Sequence, residues 1–360
     1  MKTFELKNSV NRLYFLLFIT TAFLASSCET KKLDIYEPYK DITVVYGLLN
    51  PAEPIQYIKI NKGFLGEGDA NIFAQEPDSI NYNPADIEVS FIVYQKNGST
   101  NAYKQVDTYF LKDTVLPVAD NSGAFTTKNN IVWFTRKPIL SNNAKYTINI
   151  KNKVTGKVTT GETKIINLGD GKQELFSIKV YGRTGENLVF FDNGSKSKTI
   201  RAEFDAGLSS NANLYNLSMQ INYIEYPTQN IADSGAWKTI VYNFEQIKGD
   251  EASIRYKLDG SSLLNFFRGK KTSTFSDNTK TRKMRTVTFS LYAASPDFTT
   301  YIEVNAPRSG YILDKPIYSD ITNGYGLFAN RYYTKSPAYK FDGFTLKALS
   351  DSLGINISKN

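Results

Sequence analysis

The one thiol in the 360-residue sequence is Cys28, and its surroundings suit a sulfur that becomes acylated. Met1–Arg12 carries Lys2, Lys7 and Arg12 against Glu5 alone, Leu13–Leu24 is an apolar run, and Ala25, Ser26 and Ser27 lead directly into the cysteine. A basic start, a short apolar stretch and small residues before a cut make a secretory signal. The apolar run is shorter than the about 20 residues that span a bilayer. In lipoprotein signals the small side chains fit the peptidase cleft and the thiol receives a diacylglycerol. Leu24 stands one place further out than in the commonest form of this motif, with Ala25 where Leu is usual. The expectation is cleavage before Cys28 and lipid on its sulfur. An ordinary signal peptide or an uncleaved anchor is the plainer reading.

Histidine is absent from the sequence, and Cys28 is its sole cysteine. This excludes Ser-His-Asp and Cys-His nucleophile systems, zinc held by His or Cys, and haem or iron–sulfur ligation through those residues. No disulfide forms within the chain. Paired-carboxylate hydrolysis and calcium binding stay open, but no short motif marks an acid pair, so no catalytic residue, metal ligand or cofactor is assigned.

Three further groups of residues have chemistry to offer. A glycine-rich stretch, Gly63 to Asp69, follows a predicted strand. Without a Lys-Ser/Thr pair or a helix signal after it, a phosphate loop is not expected, and Glu67 and Asp69 lack the acidic repeat of a calcium loop. A structural loop is the simpler reading. The stretch Arg268–Arg285 holds Arg268, Lys270, Lys271, Lys280, Arg282, Lys283 and Arg285 against Asp277, a candidate surface for lipid phosphates or an anionic glycan. Its bland counterpart is a solvated loop. Of the two tryptophans, Trp133 lies in the apolar run Ile-Val-Trp-Phe and reads as core. Trp237 follows Asp-Ser-Gly-Ala and is the candidate for stacking on a sugar ring, against the simpler reading of one buried edge.

The elements that must position these residues are mostly strands. Tyr and Phe, 24 and 23 in number, favour strands and supply a sizeable core. After the signal (1–27) and a mixed-charge tether (28–41), strands are predicted at Ile42–Leu49, Ile55–Asn61, Asp86–Gln95, Ala102–Leu111, Ile131–Arg136, Lys145–Asn152 and Lys157–Ile166, with a long loop over Lys62–Ala85. Their turn spacing and the alternation of Ile148 and Ile150 with Thr147 and Asn149 predict an immunoglobulin-like β-sandwich over 42–166. Asn167–Gly171 reads as a linker. A second β-rich domain follows over 172–345, with short helices at Ser261–Arg268 and Pro296–Val304, a hairpin turn at Asn323-Gly324, and a tail over 346–360. Cleavage removes Lys2, Lys7, Arg12 and Glu5, so net charge falls from +8 to +6. That mild excess does not point to nucleic acid.

Tyr46-Gly47-Leu48-Leu49-Asn50-Pro51, Tyr57-Ile58-Lys59-Ile60-Asn61-Lys62, Gly63–Ala70, Pro77-Asp78-Ser79-Ile80 and Tyr318–Ala329 together resemble an uncharacterised family of Bacteroidota lipoproteins defined only as a domain of unknown function. The likeness covers about residues 40 to 330. It implies a cell-envelope address at the outer membrane and an N-terminal β-sandwich, and it brings no substrate or catalytic residue. Asp78-Ser79-Ile80, Asp113-Thr114-Val115 and Asp351-Ser352-Leu353 also match the short O-glycosylation pattern of that phylum. The sequence is thus expected to be a lipid-anchored, non-enzymatic binding or scaffolding protein, with an outer-membrane transporter or secretion component as partner. The alternatives are a carbohydrate-binding lipoprotein of a glycan-uptake system and, third, a carboxylate-dependent glycosidase.

Overall fold

The computed structural model of the chain describes residues 42–63, 69–97, 102–117, 126, 128–140, 143–166, 177–205, 211–227, 235–249, 253–277, 279–307 and 317–358. Cys28, the tether and the linker at 167–171 lie outside them. The fold is mainly β. In the first half the strands are β1 (Ile42–Leu49), β2 (Gln56–Gly63), β3 (Ile87–Lys96), β4 (Tyr103–Phe110), β5 (Lys112–Val115), β6 (Ile131–Thr135), β7 (Ala144–Asn152) and β8 (Val158–Lys164). They hydrogen-bond in the orders β1-β2-β6-β5 and β8-β7-β3-β4. With the strands lettered along the chain, these are the A-B-E-D and G-F-C-C′ sheets of an immunoglobulin-like sandwich.

Period-two alternation explains the layering. Along β7, Ala144, Tyr146, Ile148 and Ile150 are buried while Lys145, Thr147 and Asn149 face outward, as a strand covered on one face requires. The sandwich core centres on Phe91, whose ring meets Tyr109 and Tyr146 edge-on at 5.8 Å and Phe328 at 5.6 Å. Phe328 comes from the far end of the chain. Gly47 and Gly161 make room for it, since a Cβ on either would come within 3 Å of its side chain.

The second half contributes β9 (Lys179–Tyr181), β10 (Arg183–Thr184), β11 (Asn187–Leu188), β12 (Thr199–Asp205), β13 (Leu214–Pro227), β14 (Ala236–Asn243), β15 (Ile247–Lys248), β16 (Ser253–Asp259), β17 (Lys280–Ala294), β18 (Ile321–Thr322), β19 (Gly324–Lys335) and β20 (Lys340–Phe341). The long antiparallel pair β13–β17 carries Leu217, Met219, Ile221, Tyr223, Val287, Phe289 and Leu291 on its inner face, all buried in a second core. That core is covered by the β16-β12-β9 sheet and by helices described below.

β19 joins the two halves. Residues 324–330 pair in parallel with β1, and 331–335 pair antiparallel with β17, giving the continuous order β14-β13-β17-β19-β1-β2-β6-β5. At Gly326 φ is +119°, and a Cβ there would lie 1.9 Å from the Val45 carbonyl oxygen. Only glycine adopts that conformation at that approach. Asn330, fully buried, is the polar pin of the junction. Its Oδ1 accepts from Ile166 N at 2.8 Å, and its Nδ2 donates to Thr163 Oγ1 at 2.7 Å and to the Lys164 carbonyl at 2.9 Å.

Five helices are present among the described residues, more than the one or two predicted. The loop predicted over 62–85 contains α1 (Ala70–Gln75) and α2 (Pro77–Ile80); Asp69 caps α1 by accepting from Asn71 N at 2.8 Å. The predicted helices are found as α3 (Gly260–Lys270) and α4 (Pro296–Asn305). The expected tail instead continues α5 (Gly343–Leu353), whose Leu346, Leu349 and Leu353 are buried in the second core together with Ile355. Asn323-Gly324 does form a turn, with Asn323 at φ +58°. It is not a hairpin: β18 before it pairs with β8, whereas β19 after it pairs with β1 and β17.

Candidate functional site

Two prolines and an amide-rich turn shape a concavity beside β2 and β6. Where β6 begins, the chain leaving α2 lies along the open edge of β2, with Asn81 bridging to Asn61. Asn81 is buried and spends its whole side chain: Nδ2 donates to the carbonyls of Pro77 and Asn129, each at 3.1 Å, and Oδ1 accepts from Lys59 Nζ at 3.1 Å. Lys59 Nζ also donates to the Ile131 carbonyl at 2.9 Å, and burial lowers its pKa from the usual lysine value. Tyr82 is anchored at its hydroxyl by Thr43 Oγ1 at 3.0 Å. Asn129, at φ +53°, turns the chain back toward the site. The result is a cavity of about 390 Å³ with Asn81 and Tyr82 at its floor, Pro77, Pro84 and Ile131 as apolar wall, and Lys62, Asp78, Asn83 and Asn129 around it.

The surrounding polar groups differ from the floor. Asp78, Asn83 and Asn129 are exposed. Lys62 Nζ lies 5.8 Å from the Tyr82 ring centroid, a cation–π contact. Among the described residues, the carboxylate of Asp78, the ammonium of Lys62, the amide NH₂ of Asn83 and the side-chain amide of Asn129 make no hydrogen bond or ion pair within the chain. None of these residues was singled out from sequence as a binding group. The available signal was the length of the 62–85 connection, since long connections in compact folds are usually functional, together with the run Asn81-Tyr82-Asn83-Pro84.

The predicted site residues are dispersed. Trp133 is buried in the sandwich, as its apolar run implied. Trp237 is 64% exposed on β14, an edge of the large sheet, opposite Ile224. Two residues along the same face, Thr239 Oγ1 donates to Asn222 Oδ1 at 2.7 Å and Asn222 Nδ2 donates to Thr286 Oγ1 at 3.0 Å. The exposed tryptophan therefore adjoins a polar ladder. Of the glycine-rich stretch, Gly63 ends β2 and Asp69 caps α1, while 64–68 lie outside the described residues.

The seven basic residues do not form one outward patch. Arg282 is wholly buried: its Nε donates to Glu225 Oε1 at 3.1 Å, its Nη1 donates to the Lys280 carbonyl at 3.1 Å, and its Nη2 lies 3.0 Å from Oε1. Alternation on β17 turns Arg282 inward with Met284, and the guanidinium lies 5.7 Å from the Phe275 ring. Lys280 pairs with Asp277 at 3.3 Å and lies 3.8 Å from Glu225. Arg285 is the extra residue of a β-bulge opposite Asn222 and Tyr223, and Lys283 is half-buried. Arg268 and Lys271 are exposed near the C-terminus of α3, where Arg268 Nη1 donates to Asn265 Oδ1 at 2.6 Å, and Lys270 Nζ lies 6.0 Å from the Phe266 ring centroid. Cations there complement the helix dipole.

Two acids do approach one another. Asp297 accepts from the Tyr318 hydroxyl at 3.2 Å, and its charge adds to burial in pushing the Asp320 carboxyl up to about 6. Asp320, however, accepts from Phe328 N at 2.9 and 3.2 Å, and Ser319 Oγ accepts from Gly326 N at 3.1 Å. Both side chains occupy amides on the stretch of β19 that β17 does not reach, so strand-edge satisfaction accounts for their placement. Within the O-glycosylation tripeptides, Ser79 is half-buried in α2, Thr114 half-buried in β5, and Ser352 exposed on α5.

A comparison with models of known protein families and a search of curated proteins return no match to this chain.

Proposed function

We propose that the protein is a lipid-anchored envelope protein of the outer membrane whose β body binds or scaffolds a partner without catalysing a reaction. The observation that carries this reading is the position of the sequence's one thiol, directly after a basic, apolar and small-residue leader. Fourteen residues, 28–41, separate that sulfur from β1. At about 3.3–3.6 Å per extended residue they hold the body within about 50 Å of the lipid surface. Two or more acyl chains anchor stably, and tethering raises the effective concentration of membrane neighbours, so a weak interface suffices. A transporter or secretion component of the same membrane is the partner this arrangement suits.

Fractionation of cells producing the wild-type chain and Cys28→Ala tests the anchor. The wild type is expected in the membrane pellet after a high-salt wash and the variant in the soluble fraction; equal partition of the two contradicts the reading. The exposure of Trp237 beside a polar ladder supports a second reading, carbohydrate binding on β14. A glycan array on which Trp237→Ala loses the wild-type signal would favour it, and an unchanged signal would count against it.

A further inference from the structure

We infer that the cavity floored by Asn81 and Tyr82 is a binding site for a neutral, polyhydroxylated ligand of monosaccharide size. The inference does not depend on acylation of Cys28 or on Trp237.

The volume, about 390 Å³, lies in the range of about 300–1,000 Å³ common to small-molecule sites. The lining is unusual for such a site in being so polar. Its unspent groups comprise an acceptor only (Asp78), donors only (Lys62 and the Asn83 NH₂, whose Oδ1 already accepts from Ala85 N at 3.1 Å) and one amide that supplies both functions (Asn129). A ligand that satisfies all of them must donate and accept repeatedly over a short span, and the hydroxyl is the group that does both. Lys62 and Asp78 are of opposite sign, so the lining carries no net charge to select a cation or an anion. A zwitterion would meet the two charges and leave the amides unmatched. Pro77, Pro84 and Ile131 supply the apolar wall on which the C–H face of a sugar ring rests.

The floor is already fixed. Lys59 holds both Asn81 and Ile131, Asn81 holds both Pro77 and Asn129, and Asn61 Nδ2 donates to the Ile80 carbonyl at 2.8 Å. Little ordering is therefore left for a ligand to impose.

The test is calorimetric titration of the purified full chain, held in a polyoxyethylene detergent without sugar head groups. The probes are the methyl glycosides of glucose, galactose, mannose and N-acetylglucosamine, with glycine as a zwitterionic control. At least one glycoside is expected to bind saturably in the millimolar range, and glycine is not. Asp78→Ala and Asn83→Ala should each weaken that binding roughly tenfold or more, the loss of one good polar contact. Asp78→Ala should retain the wild-type thermal midpoint, Asn83→Ala, which also gives up the acceptance of Ala85 N by its Oδ1, should fold with a midpoint within a few degrees of it, and Trp237→Ala should retain wild-type affinity. The inference is overturned if no glycoside binds at roughly 100 mM, if glycine binds and displaces the glycoside, if both rim variants bind as the wild type does, or if Trp237→Ala abolishes binding.

Discussion

Two buried asparagines organise two regions that look alike on paper and differ in one physical respect. Asn330 pins β19 to the end of the sandwich, and the groups it touches, Ile166 N, Thr163 Oγ1 and the Lys164 carbonyl, are satisfied by it. Asn81 is spent as fully on its own neighbours, yet the side chains around it keep hydrogen-bonding capacity with no partner among the described residues. The first region is closed chemistry and reads as architecture. The second is a fixed floor under open chemistry, which is what a recognition site requires. Buried Glu225 and Arg282 fall on the architectural side. Lys238 at 2.5 Å and Arg282 at 3.0 Å use both oxygens of the acid.

Substitutions should separate the two kinds of region by what they change. Gly326→Ala puts a methyl 1.9 Å from the Val45 carbonyl at a φ of +119°. It should cost on the order of 4–5 kcal/mol or prevent folding, measured by urea unfolding. Asn330→Leu strands the buried Ile166 N and Thr163 Oγ1 and the part-buried Lys164 carbonyl, at about 1–3 kcal/mol for each buried group left unrelieved, and should cost about 3–4 kcal/mol by the same measurement. A variant that unfolds like the wild type would remove the contrast with Asn81.

Glu225→Gln leaves Arg282 buried without its counter-charge and should cost about 3 kcal/mol near neutral pH. Burial raises the Glu225 pKa, but Lys238 and Arg282 outweigh it and hold the group below the usual glutamate value of 4.5. A depressed carboxylate pKa contributes stability that is complete above 4.5 and lost as pH falls through the folded value. The wild-type advantage over Glu225→Gln should therefore shrink on acidification below about pH 4.5. An advantage that persists unchanged into acid would contradict the assignment.

Smaller still, Trp237→Ala should change stability by under about 1 kcal/mol, because a side chain 64% exposed has little burial to lose. At the rim, Asp78→Ala should stay within about 0.5 kcal/mol of wild type in unfolding while losing ligand. A rim variant that destabilises the chain by several kcal/mol would show that the cavity is architecture after all.

The sandwich was legible because alternation shows through single strands: Ile148 and Ile150 against Thr147 and Asn149 sufficed to orient β7. Strand β5 was missed because four largely exposed residues carry no such alternation. Helices α1 and α2, of six and four residues, are too short for a helical period to register. The partnership of β1 with β19 links Thr43 to Gly324, and no local pattern names a partner so far along the chain. For the same reason Arg282 read as a surface cation; its burial depends on Glu225 of β13. The cavity joins a strand end, a helical insert and a turn near Asn129, so its residues converge only once β2 and β6 have paired.

The proposed anchor rests on Cys28. Intact mass spectrometry of the mature protein, with fragmentation at its N-terminus, tests it most directly. The account predicts a chain beginning at Cys28 with diacylglycerol on the sulfur, the lipid mass being lost in Cys28→Ala. A mature chain carrying a free thiol at Cys28, or one still beginning at Met1, would contradict it.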